Sequence, residues 1–185
     1  PKSHNQNMAV QPNDNNDNDN VSTNITLQTH HIAYEKELAQ NPHSLRLWIA
    51  YLDAVGKNEG MGNDVKGRFL IYERALKMMP RSYKLWMRYL KEMRTEAQKY
   101  CIGDRQYMDT NAAYERALMF CTKMPRLWID YCEFLASQHF VTKSRRTLDK
   151  ALRALPITQH PRIWEVYVRF LQRDGIPQET VRCAL

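Results

Sequence analysis

Apolar side chains return along this chain at intervals of three and four residues, the period of a helix that buries one face. In "LWMRYLKEM" (85–93) the apolar set is Trp86, Tyr89, Leu90 and Met93; in "IWEVYVRFL" (163–171) it is Trp164, Tyr167, Val168 and Leu171. The same Trp-x-x-Tyr opening occurs at Trp48 and Tyr51 and at Trp128 and Tyr131, and the chain has no other Trp. Successive tryptophans lie 38, 42 and 36 residues apart, a spacing that marks an internal repeat. Between them a second stripe recurs: Tyr72, Ala75, Leu76 and Met79; Tyr114, Ala117, Leu118 and Cys121; Leu148, Ala151, Leu152 and Leu155. "AYEKELAQNP" (33–42) supplies an earlier helix of this second kind, and Thr180–Leu185 begin a later one.

Punctuation follows the alternation. Pro42, Pro80, Pro125 and Pro156 come after the second helices, where a residue without an amide proton ends a helix, and Pro125 and Pro161 can open the next at its first position. Ser44 and Ser82 are candidate N-caps. "KNEGMGND" (57–64) and "RDGIP" (173–177) read as turns, and "RTEAQKYCIGDRQYMDTN" (94–111) as helix extension plus an inserted loop. A pair of helices with one apolar stripe each cannot enclose a core alone, whereas stacked pairs share a continuous one. The prediction is an all-α solenoid over 25–185, about four repeats with the last cut short, preceded by a disordered Asn/Asp-rich leader over 1–24. The final "PQETVRCAL" stops inside a new amphipathic helix, which reads as a fragment of a longer protein.

Charge sharpens the picture. Residues 1–24 hold Lys2 against Asp14, Asp17 and Asp19, leaving 26 basic and 17 acidic residues on the folded part. That surplus suits RNA, an acidic protein segment or plain solubility. Cys101, Cys121, Cys132 and Cys183 show no C-x-x-C spacing and do not pair with histidines at zinc-finger intervals, so reduced thiols and no metal are expected. No run of 18 apolar residues and no signal-peptide core is present, so neither spanning nor secretion is indicated. Phosphate loop, nucleophile elbow, paired carboxylates and metal set are all missing, which argues against an enzyme and against any cofactor.

The tetratricopeptide pattern places a Tyr seven residues after its Trp; here Tyr stands at three and Leu, Cys or Val at four. Trp-x-x-Tyr in the first helix, with Tyr-Glu-Arg-Ala-Leu and a following Pro in the second, instead resembles HAT repeats. Over about residues 30–185, "YERALKMMPRSYKLWMRYLKE" and above all "RRTLDKALRALPITQHPRIWEVYVRFL" resemble the N-terminal repeats of the Syf-type pre-mRNA splicing factor family, also called XPA-binding protein two. The resemblance implies a right-handed α-α superhelix of HAT/TPR-like antiparallel pairs, acting as a nuclear, non-catalytic scaffold in the spliceosome's nineteen-associated assembly. It implies as partners the Aquarius-type helicase, an Isy-type factor and the crooked-neck-type HAT protein, and a link to transcription-coupled repair.

Candidate functional residues divide into two groups. Trp48, Tyr51, Tyr72, Ala75, Trp86, Tyr89, Tyr114, Ala117, Trp128, Tyr131, Ala151, Trp164 and Tyr167 are expected to form the repeat core. Glu73 and Arg74, like Glu115 and Arg116, are sequence neighbours and point to different sides of a helix, a poor geometry for acid–base chemistry. Their expected roles are local pairs, Glu73 with Lys77 and Asp149 with Arg153, or contacts to a neighbouring repeat or partner. Lys143, Arg146, Lys150 and Arg153 fall on one face about 180° from Leu148, Ala151, Leu152 and Leu155. That basic face is a solvated surface, a site for an acidic partner segment, or a contact for RNA phosphates. Direct RNA binding is the alternative function, although the aromatics lie on apolar stripes rather than among the cations. Arg81, Lys84 and Arg88 crowd a helix start that is already positive and hint at an external anion; His30 and His31 read as surface residues.

Overall fold

The computed structural model describes residues 29–57, 65–173 and 175–182. The expected leader, 1–24, and nearly all of the 57–64 turn lie outside them. Among the described residues there is no strand. Helices α1 (Thr29–Gln40), α2 (Leu45–Lys57), α3 (Val65–Met78), α4 (Tyr83–Ala97), α5 (Arg105–Phe120), α6 (Pro125–Ser137), α7 (Val141–Ala154), α8 (His160–Leu171) and α9 (Gln178–Arg182) follow one another, with a single 3₁₀ turn at Ile157–Gln159. Each of α1 to α7 packs on the next in sequence, and α8 packs on both α7 and α6. The four tryptophans fall on α2, α4, α6 and α8, and the Tyr-Glu-Arg-Ala-Leu copies on α3 and α5. This is an all-α solenoid of stacked helix pairs.

The turns into α2, α4 and α6 are each locked by the tryptophan of the helix that follows. The indole N–H of Trp48 donates to the Pro42 carbonyl, that of Trp86 to Pro80 and that of Trp128 to Thr122, each at 2.8 Å and each six residues upstream. A buried indole N–H needs an acceptor, and here it takes a carbonyl left over by the helix end. Pro125 and Pro161 stand in the first turns of α6 and α8. Ser82 occupies the N-cap position of α4, but its hydroxyl makes no capping hydrogen bond.

Opposite turns are built differently. The segment expected to hold an inserted loop is mostly helix: α4 runs to Ala97 and α5 starts at Arg105, so the irregular part shrinks to 98–104. Gly103, at φ 105°, supplies the left-handed residue that this turn requires. Helix α6 ends in a Schellman motif, with Phe140 N–H on the Leu135 carbonyl and His139 N–H on Ala136, both at 3.3 Å. The left-handed position there is filled not by glycine but by His139, at φ 59°.

One apolar core runs from Leu38 to Phe170. Tyr51, Tyr72, Tyr114, Tyr131 and Tyr167 are almost wholly buried, and Ala75, Ala117 and Ala151 show no exposure, which lets helices approach closely. Trp48, Trp86, Trp128 and Tyr89 are buried as well. Trp164 departs from the expectation, with 38% of its surface exposed. Two causes are visible. The 3₁₀ turn lengthens the approach to α8, and among the described residues no carbonyl receives the indole as in the earlier repeats. And Trp48 and Trp86 are roofed by the arginine of the following repeat, Arg74 and Arg116, a cover that Trp164 lacks among the described residues.

Candidate functional site

The polar letters of the Tyr-Glu-Arg-Ala-Leu helices meet across repeats, not within one helix. Arg74 on α3 grips Glu35 on α1 through two hydrogen bonds of 2.7 Å. One repeat later Arg116 on α5 grips Glu73 on α3 in the same two-pronged way, with Nη1 to Oε2 at 2.9 Å. Each guanidinium also lies over the preceding tryptophan, Arg74 at 5.8 Å from the Trp48 ring and Arg116 at 5.7 Å from Trp86. The Trp-helix tyrosines close the arrangement: Tyr89 donates to Glu73 at 2.6 Å, Tyr131 to Glu115 at 2.9 Å and Tyr167 to Asp149 at 2.9 Å. Burial pushes Glu73 upward, but the hydrogen bonds from Arg116 and Tyr89 outweigh it and hold its carboxyl below the ordinary value. The expected Glu73–Lys77 and Asp149–Arg153 pairs are therefore replaced. Glu73 is taken by Arg116, and Asp149 is held by Arg145 one turn back and by Tyr167.

The Trp helices carry a second set of links. Arg88 on α4 pairs with Asp53 on α2, and Arg94 on α4 with Asp130 on α6 at 3.3 Å. Within the basic row at the start of α4, Arg88 finds its anion inside the chain, whereas Arg81 and Lys84 have no ion pair within 4 Å among the described residues. Tyr72 and Tyr114 donate to Glu92 and Asp130. His31 is half-buried with its ring edge-on to Tyr51 at 5.6 Å, not on the surface. Sequence reading missed Glu35, Asp53, Glu92 and Asp130, because each partner lies one repeat or one helix away and no local spacing points to it.

The joint between α5 and α7 differs from the two before it. Its equivalent of Arg74 and Arg116 is Lys150, which has no fork to grip a carboxylate. Lys143, two turns earlier, reaches Glu115 at 3.0 Å instead. Burial raises Glu115, and Lys143 and Tyr131 more than offset it. Lys143, Arg146, Lys150 and Arg153 are all exposed. Among the described residues, Lys143 alone of the four has an ion pair within 4 Å; Lys150 contributes to the positive field at Glu115. At the N-terminal end of this stripe an open groove of about 710 Å³ lies between the helices, walled by Met108, Ala112, Phe140 and Val141, with Glu115 and Lys143 at its edge. Beneath it the buried amides of Asn111 and Gln138 bond each other at 2.9 and 3.3 Å.

Other chemistry is sparse. Cys121 and Cys132 are buried thiols, and burial pushes Cys132 up to about 12, away from nucleophilic use. Among the described residues no three His, Cys, Asp or Glu side chains converge on a metal position, and no helix is long and apolar enough to cross a membrane.

Residues 30–184 match the model of the pre-mRNA-splicing factor Syf1/CNRKL1 N-terminal HAT repeat. The chain is 45% identical over 159 residues to the pre-mRNA-splicing factor SYF1 of Homo sapiens, covering 85% of this chain and 18% of that protein. It is 40% identical over 158 residues to the syf1 homolog of Drosophila melanogaster, covering 85% and 17%, and 36% identical over 142 residues to cwf3 of Schizosaccharomyces pombe, covering 77% and 18%. It thus spans less than a fifth of the length of the curated relatives it matches. On these matches, and on the stacked Trp-x-x-Tyr and Tyr-Glu-Arg-Ala-Leu pairs that fill the core, the chain belongs to the Syf1/CNRKL1 N-terminal HAT-repeat family of pre-mRNA-splicing factors.

Proposed function

We infer that this chain is part of a non-catalytic HAT-repeat scaffold that joins proteins of the spliceosome during pre-mRNA splicing in the nucleus. The observation that supports this most is the use of the repeat's polar residues. Glu35, Glu73, Arg74 and Arg116 bind one another across helices, so the charges of the repeat are committed to holding neighbouring repeats together. Membership in a family of splicing factors supplies the process. By the same resemblance the partners are an Aquarius-type helicase, an Isy-type factor and a crooked-neck-type HAT protein in the nineteen-associated assembly, with a further link to transcription-coupled repair. Affinity capture from nuclear extract tests the reading, with the intact protein compared against the same protein lacking this segment. Recovery of spliceosomal proteins only with the segment present is the expected result; equal recovery overturns it.

A second reading, direct RNA binding, has one observation in its favour: the exposed stripe Lys143, Arg146, Lys150 and Arg153. Under it, reversing those charges weakens RNA binding and flattens its salt dependence. Filter binding at two salt concentrations separates the readings, because a scaffold without phosphate contacts shows no such slope.

A further inference from the structure

The groove between α5 and α7 and the cation stripe that leads away from it form one continuous surface. At the groove the apolar side chains are presented outward: Met108 is 66% exposed and Phe140 44%. Both positions have a structural cause. Met108 stands in the first turn of α5 and overhangs the start of α7, lining the groove with Phe140 and Val141. The Schellman motif at His139 turns the chain so that Phe140 faces this overhang. From Lys143 to Arg153 the stripe covers about 15 Å, at ~1.5 Å per residue of helix. An extended peptide spans that with about five residues.

We propose that this surface docks an acidic protein segment, which seats an apolar side chain between Met108 and Phe140 and lays carboxylates along Lys143, Arg146, Lys150 and Arg153. The proposal rests on the scaffold reading and names the kind of partner this joint takes. Charge complementarity selects the occupant. Helix α7 carries five cations against one acid, Asp149, which is already held by Arg145 and Tyr167. Glu115, the acid that faces it from α5, is held by Lys143 and Tyr131. Arg146, Lys150 and Arg153 have no carboxylate within 4 Å among the described residues. In the comparable groove of about 630 Å³ between α3 and α5 the lining arginines, Arg74 and Arg116, are bound to Glu35 and Glu73, which leaves Lys77 as its one cation without a carboxylate within 4 Å among the described residues. A nucleic acid is the poorer fit, because the Glu115 carboxylate stands at the groove edge where a phosphate would pass, whereas an apolar side chain passes it without repulsion.

Fluorescence anisotropy with the whole 185-residue chain tests this. The probes are a fluorescein-labelled peptide with a Leu-Phe anchor followed by alternating Glu and Ser, the same peptide with Ala-Ala in place of the anchor, and labelled oligouridylate. The anchored peptide binds, the Ala-Ala peptide binds at least about tenfold more weakly, and Met108→Glu or the pair Arg146→Glu with Lys150→Glu reduces the anchored peptide's affinity at least about tenfold. All three substitutions are at exposed positions, and an unchanged thermal transition shows that the fold is kept. Equal binding of the two peptides, indifference to Met108→Glu, or oligouridylate displacing the anchored peptide overturns the proposal. Capture of spliceosomal proteins by the full-length protein carrying Met108→Glu is measured in parallel. Retained capture with failed peptide binding rejects this surface alone, and lost capture by the unaltered protein rejects the scaffold reading.

Discussion

Arg116 stands where two repeats meet, bonded to Glu73 and stacked on Trp86. Both charged groups are well exposed, so water and salt screen the pair and its worth is modest. Arg116→Ala is expected to lower stability by about 1 kcal/mol in urea unfolding, and Arg116→Lys to recover little of it, because an ammonium cannot hold both carboxylate oxygens. Tryptophan shows a steeper contrast. Trp86→Ala removes a buried ring and is expected to cost about 3–5 kcal/mol, whereas Trp164→Ala is expected to cost about 1 kcal/mol, since that ring keeps much of its surface in water. Sequence periodicity gave both residues the same rank. It reads which face a side chain is on, whereas burial depends on what the neighbouring repeat lays over that face.

At the scale of the helix, stripe and end signals were legible and pairing was not. Alternation of Trp-x-x-Tyr and Tyr-Glu-Arg-Ala-Leu, with prolines at the junctions, was enough to place α2 to α8 and to mark the buried faces of α2 to α7, whereas α8 buries Ile163, Tyr167 and Phe170 and leaves Trp164 and Val168 exposed. The arginine links Glu35–Arg74, Asp53–Arg88, Glu73–Arg116 and Asp130–Arg94 join residues 35 to 43 positions apart, and no local rule reaches that far. Nor did composition flag the end of α6, where a histidine fills a glycine position. Left-handed backbone costs a side-chain-bearing residue more than glycine. His139→Gly is therefore expected to raise stability by about 0.5–1 kcal/mol in thermal or urea unfolding; a loss would mean that the imidazole contributes contacts of its own.

The solenoid as a whole should respond to pH from both sides. Glu35, Glu73 and Glu115 are held below the ordinary glutamate value of 4.5 in the folded chain. Their contribution is complete above that value and is lost as pH falls through the lowered folded values, because the unfolded chain takes up protons first. Tyr51, Tyr72, Tyr89, Tyr114, Tyr131 and Tyr167 are shifted the other way, above the ordinary value of 10, chiefly by burial and then mostly by the carboxylates they serve. Stability is thus expected to fall once pH exceeds about 10, and absorbance titration should show these phenols ionising together with loss of helical circular dichroism. Ionisation well before unfolding would contradict their burial. Glu73→Gln should flatten the acid limb and leave the alkaline one nearly unchanged.

The indole-to-carbonyl bonds have a consequence for how such a chain can change length. In the two middle repeats the stretch from Glu73 to Tyr89 and from Glu115 to Tyr131 is pinned at both ends and keeps a separation of 16 residues; from Asp149 to Tyr167 it is 18, and there the indole bond is gone. Among the described residues the connections leaving a Trp helix show no such bond, and the chain is longer on this side in one repeat, 28 residues from Trp86 to Tyr114 against 24 from Trp48 to Tyr72. Insertions are thereby channelled to one edge of the stack. A short flexible tag placed after Gly103 should leave the melting temperature nearly unchanged, while the same tag after Lys123 should lower it sharply, so this edge is the one along which the repeat can be edited without losing register.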